Sequence, residues 1–150
     1  MSPEFQQAVE SLQPTFERLM EAAPYARGGA LPKKGVYLFS ENGTALYVGR
    51  SNNIPQRRRQ HTLRCSQPNQ AALAKLLARD ETKRPVDYRK GAHARLLEDQ
   101  EFMEAFRKAK ERVREMEFRA VEECDQTGQA LLEVYCAITL GTPHNDFRNH

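Results

Sequence analysis

The sequence predicts a small α/β (α+β) fold in which a mixed, mainly antiparallel three-stranded sheet is flanked by helices. Two short apolar runs surround an Asn-Gly dipeptide at residues 42–43, which is typical of a β-hairpin. A third segment of alternating apolar and polar residues follows a long charged helical stretch. With 150 residues, 39% hydrophobic and 29% charged, the chain has the composition of an ordinary globular domain. We expect one such domain overall.

The first predicted element is a helix over residues 3–23. Its apolar residues recur at spacings of three and four, which places them on one face of a helix: Phe5, Val9, Leu12, Phe16 and Met20. Pro14 cannot donate the backbone hydrogen bond of a helix interior, so we expect a kink or a break there. We interpret residues 1–30 as an amphipathic helical segment that packs on a core domain of residues 31–150.

The next elements are two strands over residues 35–39 and 44–49, and their pairing register is open. A two-residue type I′ turn at Asn42-Gly43 would place Tyr37 opposite Val48, and the phenols of Tyr37 and Tyr47 would then point to opposite faces. A three-residue loop with Gly43 as a bulge would instead place Tyr37 opposite Tyr47. Because both strands are apolar on both faces, the residues themselves favour neither register.

A basic helix is predicted directly after the hairpin, with Asn53 as its N-cap and Pro55 in its first turn. Arg57 and His61 are four residues apart, which places them on one helix face. Residues 50–64 contain five arginines and one histidine but no acidic residue. This stretch can neutralise phosphates, or it can be an ordinary solvated basic face.

The remaining chain alternates helices with one further strand. Residues 69–79 and the highly charged residues 94–114 are predicted to be helical, residues 116–121 a strand, and residues 128–140 an apolar helix that ends at Gly141.

Composition also bears on the compartment and on membrane association. The three cysteines, Cys65, Cys124 and Cys136, are an odd number without C-x-x-C spacing, so we expect free thiols in a reducing cytosol and hence a cytoplasmic protein. No apolar run approaches the ~20 residues of a membrane span, and we expect no signal peptide and no membrane partner.

Five short motifs follow one another along the chain: "GVY", "YVG", "RRRQH", "QALLEVY" and "TPHNDF". Their order resembles that of the GIY-YIG nuclease superfamily. "GVY" at residues 35–37 and "YVG" at residues 47–49 stand where the family has its two tripeptides, with valine in place of each isoleucine. The family's arginine, histidine, glutamate and asparagine correspond in "RRRQH", "QALLEVY" and "TPHNDF" to Arg57, His61, Glu133 and Asn145. The resemblance spans residues 35–145 and implies a GIY-YIG-like fold for the predicted core domain.

The resemblance implies a metal-dependent endonuclease that hydrolyses DNA phosphodiester bonds with one divalent ion, Mg²⁺ or Mn²⁺. Glu133 would hold the metal, because hard cations prefer carboxylate oxygens. Arg57 would stabilise charge on the phosphate in the transition state. Tyr37 would be the general base, with His61 as the competing base, and Tyr47 would orient the phosphate.

The resemblance also places Tyr37 and Tyr47 in one active site, which favours the three-residue loop. Asn145 would tie the C-terminal segment to that site. The interpretation assigns contacts with the nucleic-acid backbone to four further arginines: Arg50, Arg58, Arg59 and Arg64.

Two other functions remain open. One is a nucleic-acid-binding module with the same fold that does not cleave, and the other is a structural protein that uses residues 94–114 as a partner interface. The sequence does not determine the strandedness of the nucleic acid, its sequence specificity or the oligomeric state.

Overall fold

The computed structural model describes residues 1–147, which form two compact units. The first unit comprises residues 1–57 and the chain from residue 117 onward, and the second comprises residues 58–116. The elements in chain order are α1 (Pro3–Glu10), α2 (Leu12–Glu21), β1 (Gly35–Glu41), β2 (Thr44–Ser51), α3 (Ile54–Thr62), α4 (Ala72–Thr82), α5 (Ala92–Glu98), α6 (Gln100–Glu115), β3 (Glu117–Glu122) and α7 (Gln126–Leu140). The division into residues 1–30 and 31–150 stays a prediction, and residues 148–150 lie outside the described part.

The predicted N-terminal helix is split, as Pro14 led us to expect. α1 ends at Glu10, Ser11 links the two helices, and α2 begins at Leu12. The break is local to the proline, because Pro14 has no amide hydrogen to donate to the carbonyl four residues earlier, that of Glu10. Leu12 and Leu19 of α2 are buried in the core, whereas α1 contributes no buried side chain.

The sheet has the strand order β2-β1-β3, and both pairings are antiparallel. This confirms the predicted fold class. Side chains alternate across the central strand, so Val36 and Leu38 face the core with α2 and α7, while Tyr37 and Phe39 lie on the opposite face beside Phe118. Residues 35–40 of β1 are buried on both faces, which explains why residues 35–39 are all apolar.

The hairpin turn is the two-residue one. Asn42 and Gly43 both have positive φ, at +52° and +78°, as a type I′ turn requires, and Glu41 pairs with Thr44. The predicted three-residue loop is therefore wrong. An Asn-Gly pair adopts these left-handed conformations at low cost, so the turn forms without help from a further loop residue.

A β-bulge nevertheless brings both tyrosines to one face. Ser40 pairs with Ala45, but Phe39 pairs with Tyr47, so Leu46 is an extra residue on β2. The bulge shifts every later pair by one, and Tyr37 lies opposite Gly49. The predicted direct pairing of the tyrosines is thus wrong. Their rings still share a face, with centroids 6.5 Å apart.

α7 and α3 carry the capping features that their sequences indicate. Asp125 accepts a hydrogen bond from the backbone N–H of Gly128 at 2.7 Å at the start of α7, and Gly141 ends that helix in a left-handed conformation. At α3, Oδ1 of Asn53 accepts from the backbone N–H of Gln56 at 3.3 Å. The predicted cap at Asn53 and the predicted end of α7 at Gly141 are confirmed, whereas the cap at Asp125 was not predicted and α7 begins two residues earlier than expected.

The second unit is built on α4, α5 and α6. The predicted helix over residues 94–114 is interrupted at Asp99, whose carboxylate accepts from the backbone N–H of Phe102 at 3.1 Å and pairs with Arg84 at 2.9 Å. Phe102 and Phe106 are buried and stack with centroids 6.1 Å apart.

Throughout residues 1–147, none of the helices has the length and hydropathy needed to cross a bilayer.

Candidate functional site

An open cleft of about 420 Å³ in the first unit contains five of the ten predicted site residues. It lies where β1 and β2 meet the first turn of α3 and the N-terminal half of α7. Its walls are almost entirely polar: Tyr37, Tyr47, Gly49, Arg50, Ser51, Asn52, Arg57, Gln126, Gln129 and Glu133. The structure thus brings together two phenols, two guanidinium groups and one carboxylate that are distant in the sequence.

The Arg57 guanidinium hydrogen-bonds the phenols of both Tyr37 and Tyr47. Burial raises the pKa of both phenols above its ordinary value, and the neighbouring Arg57 charge only partly offsets this effect. Tyr37 is therefore a protonated hydrogen-bonding group at neutral pH in the protein by itself. These contacts place Arg57 beside both phenols in the cleft.

Gly49 is needed because the Tyr37 ring lies directly over its backbone. A Cβ atom at Gly49 would be 2.3 Å from both Cζ and the hydroxyl oxygen of Tyr37. The ring cannot move aside at low cost, since Tyr37 is fully buried and stacks against Phe118 with centroids 5.4 Å apart. The glycine of the "YVG" segment therefore makes room for the phenol of the "GVY" segment.

We expect Gly49→Ala to destabilise the protein by about 1–3 kcal/mol, because the added methyl group overpacks a rigid site. The measurement is the midpoint of urea unfolding. Gly43→Ala is the control, since a Cβ there meets no atom within 4 Å and only its positive φ is unfavourable. A Gly49→Ala protein as stable as the wild type would show that Tyr37 does not occupy this position.

Glu133 projects from α7 and forms an ion pair with Arg50 of β2. Nε of Arg50 donates to Oε2 of Glu133 at 3.0 Å, and the two side chains are 45% and 20% exposed. Burial raises the pKa of the Glu133 carboxyl, and the charge and hydrogen bond of Arg50 act against that rise. The carboxylate is thus accessible from the cleft but partly neutralised.

Gln129 is a cleft residue that the sequence reasoning did not select. It lies one turn before Glu133 on α7 and is only 2% exposed. Its Nε2 donates to Oδ1 of Asn52 at 3.1 Å and to the carbonyl oxygen of Glu123 at 2.8 Å. Gln129 therefore fixes the chain after β2 against α7. The available signal was its position four residues before Glu133, on the same helix face.

The cleft offers one carboxylate to a metal ion, which suits a hard cation that takes few ligands from the protein. Glu133 is the only carboxylate among the residues that line it. Within the described chain, no group of three or more His, Cys, Asp or Glu side chains is arranged to hold a metal ion. Mg²⁺ commonly takes one or two carboxylates and completes its shell with water and substrate phosphate, so the single carboxylate fits that mode of binding.

Asn145 does not line the cleft but holds the free edge of β2. Its Oδ1 accepts from the backbone N–H of Val48 at 2.9 Å, and its Nδ2 donates to the carbonyl oxygen of Val48 at 2.8 Å. The backbone N–H of His144 also donates to the carbonyl oxygen of the bulge residue Leu46, at 3.3 Å. The C-terminal segment thus supports the strand that carries Tyr47.

We expect Asn145→Ala to cost about 1–3 kcal/mol of stability, because it leaves two backbone groups of the fully buried Val48 without these bonds. Phe147→Ala is the control, since its side chain is exposed and should change stability by no more than about 0.5 kcal/mol. Equal unfolding midpoints for the two variants would rule out this role of Asn145.

The other predicted residues belong to the second unit. His61 of α3 is fully buried, so the alternative that residues 50–64 form an ordinary solvated basic face is wrong for this residue. Arg58 is half-buried, and Arg59 and Arg64 are exposed. Of the cysteines, Cys136 is buried in the core of the first unit, and Cys65 and Cys124 are exposed free thiols.

Comparisons with protein-family models, with curated proteins and with solved structures each gave no match to this chain. The resemblance to the GIY-YIG nuclease superfamily therefore stays a prediction from the sequence motifs.

Proposed function

We propose that this protein is a metal-dependent endonuclease of the GIY-YIG type that hydrolyses DNA phosphodiester bonds. The observation that carries the proposal is the cleft in which Tyr37, Tyr47, Arg57 and Glu133 converge. Two phenols, a cation and a carboxylate around an open space can position a phosphate, stabilise its developing charge and hold one metal ion. The proposed compartment is the cytoplasm, and the proposed partner is DNA.

Arg57 would bind the non-bridging oxygens of the phosphate. A guanidinium is always charged, and its planar set of donors matches two phosphate oxygens. The hydrogen bonds to both phenols would orient the guanidinium before substrate arrives. Pre-organisation of this kind favours the transition state, because the donor need not be reoriented during reaction.

Glu133 would hold a single Mg²⁺ or Mn²⁺ ion, which would polarise a phosphate oxygen. For this to occur, the metal must compete with Arg50 for the carboxylate. In the complex, Arg50 would pair with the DNA backbone instead, as the sequence-based assignment of this residue predicts.

Tyr37 is the candidate general base that lines the cleft, whereas His61, the competing base named from the sequence, is fully buried in the second unit and is not among the residues that line it. In the protein alone, burial keeps the pKa of Tyr37 high, so its phenol would need the positive charge of the bound metal to lose a proton near neutral pH. Tyr47 would orient the phosphate through its hydroxyl group. Tyr37→Phe removes the proton-transfer group while keeping the ring that packs on Phe118.

A non-cleaving nucleic-acid-binding module is the second candidate, and the ion pair between Arg50 and Glu133 favours it. A carboxylate that is permanently paired with an arginine is a poor metal ligand. In this case the same cleft would bind a phosphate through Arg57 without hydrolysis.

The test is incubation of the purified protein with supercoiled plasmid, single-stranded DNA and RNA, each with Mg²⁺, with Mn²⁺ and with EDTA. We expect nicking or cleavage of DNA that requires the metal. Metal-independent cleavage would contradict the proposed mechanism. DNA binding without cleavage under every condition would favour the binding module.

A further inference from the structure

The second unit contains a basic cleft of about 300 Å³. It shares no lining residue with the cleft around Tyr37 and Tyr47, which we call the tyrosine site. We call the basic cleft the α6 cleft. Its walls come from the end of α3, the segment after it and one face of α6: Thr62, Arg64, Arg107, Lys110, Glu111 and Arg114. Four of these six side chains are cationic and one is acidic. The α6 residues recur at spacings of three and four, so they share one helix face.

The cations of the α6 cleft are incompletely neutralised. Arg107 pairs with Glu104 at 2.6 Å and with Glu111 at 3.5 Å. Arg64 and Arg114 are both exposed, and neither forms an ion pair or side-chain hydrogen bond within residues 1–147. Because neither guanidinium group is paired with a carboxylate, the two charges produce a locally positive potential at the cleft.

Lys110 adds a buried ammonium group to the residues that line this cleft. It is 6% exposed, and its Nζ donates to the carbonyl oxygens of Arg64 at 2.5 Å and Ser66 at 2.8 Å, while it lies 4.7 Å from the centre of the Phe106 ring. No carboxylate of the described chain lies within ion-pair distance of this ammonium group. Burial lowers the pKa of Lys110, an effect that an anion in the cleft would oppose.

The hydrogen bonds to the two carbonyl oxygens explain how Lys110 holds residues 64–66 against α6. They do not explain why two exposed arginine side chains line the same cleft. The two exposed arginines and the buried ammonium group of Lys110 border one concavity. Arginine guanidinium groups and lysine ammonium groups are the side chains that commonly bind phosphate groups in proteins.

We propose that the α6 cleft binds a phosphate group, supplied by the backbone of the nucleic acid on which the tyrosine site acts. The assignment of the nucleic acid as the source rests on the proposed function. The contact is independent of base sequence, because phosphates carry no sequence information. It would position the substrate and take no part in the chemical step.

The test is the salt dependence of duplex DNA binding by the full chain, measured by fluorescence anisotropy in Ca²⁺ over a KCl series. The variant is the double substitution Arg64→Ala and Arg114→Ala. The control is Lys90→Ala with Lys108→Ala, which removes two exposed positive charges of the same unit from outside the cleft. We expect the cleft variant alone to lower the slope of log K against log salt concentration, by about 0.9 for one phosphate contact. Equal slopes for both variants would overturn the proposal.

A second arm separates this result from the fate of the proposed function. Inorganic phosphate is titrated into the wild type and the cleft variant, and the NMR signals of the arginine Nε–Hε groups are followed. If the wild type binds no DNA, the proposed function fails. In that case, phosphate-dependent shifts of the NMR signals that occur in the wild type but not in the cleft variant would support a site for free phosphate. No shift in a wild type that also binds no DNA would overturn the site itself.

Discussion

Glu133→Gln should abolish DNA cleavage while DNA binding survives or becomes tighter. A neutral amide keeps the shape of the side chain but is a poor ligand for a hard divalent cation. Binding should not weaken, because a negative charge near the phosphate is removed and Arg50 loses its partner and becomes available to the DNA backbone. The assays are plasmid nicking in Mg²⁺ and a gel shift in Ca²⁺.

The matched control is Glu21→Gln, which removes the same charge from an exposed position of α2 outside the cleft. It should cleave like the wild type. Thermal unfolding of Glu133→Gln should remain cooperative, since Glu133 is partly solvent-exposed. Full cleavage activity in a folded Glu133→Gln protein would eliminate the metal-ligand role and with it the proposed mechanism.

Arg57→Ala should lower the cleavage rate by roughly 10²–10³, the effect of removing one pre-organised donor from a developing anion. The loss should appear in kcat as well as in kcat/KM, because the guanidinium acts most strongly on the transition state. The phenols of Tyr37 and Tyr47 would also lose the cation that opposes the burial-induced rise of their pKa. Single-turnover kinetics on a plasmid substrate measures the effect.

Arg59→Ala is the control for this experiment, because the residue is exposed and lies two positions later in the same helix. It should weaken binding through one lost phosphate contact at most and leave the chemical step unchanged. Arg57→Lys should recover part of the activity, since it keeps the charge but not the planar fork of donors. If Arg57→Ala and Arg59→Ala reduce the single-turnover rate equally, Arg57 acts only as a general surface charge.

Local chemistry determined most of the secondary structure. Pro14 removes one backbone donor, and the helix breaks beside it. Asn42-Gly43 adopts a two-residue turn, and Gly141 ends α7, because both need left-handed backbone conformations that these residues tolerate. The long charged helix was predicted without its interruption at Asp99. The sequence did not show that the Asp99 carboxylate caps α6, because it could equally have been a solvated surface group.

The arrangement of the site depended on tertiary structure. The motif spacing selected Tyr37, Tyr47, Arg57 and Glu133, and all four line the cleft. The motif spacing could not identify Gln129, because its burial follows from packing between α7 and the chain after β2. The partner of Glu133 is likewise a contact across 83 residues of sequence, which no local pattern encodes.

By itself, the sequence determined most of the elements and the fold class, because caps, turns and periodicity act within a few residues, and its motifs selected five of the residues that line the cleft. The shared face of the two tyrosines was decided only in the folded sheet. The turn alone would have separated the phenols, and the bulge at Leu46 reverses that outcome by shifting the register. Because both strands are apolar on both faces, the sequence did not select this register. In the folded sheet, packing against α7 and the bonds of His144 and Asn145 along the edge of β2 support the bulged pairing.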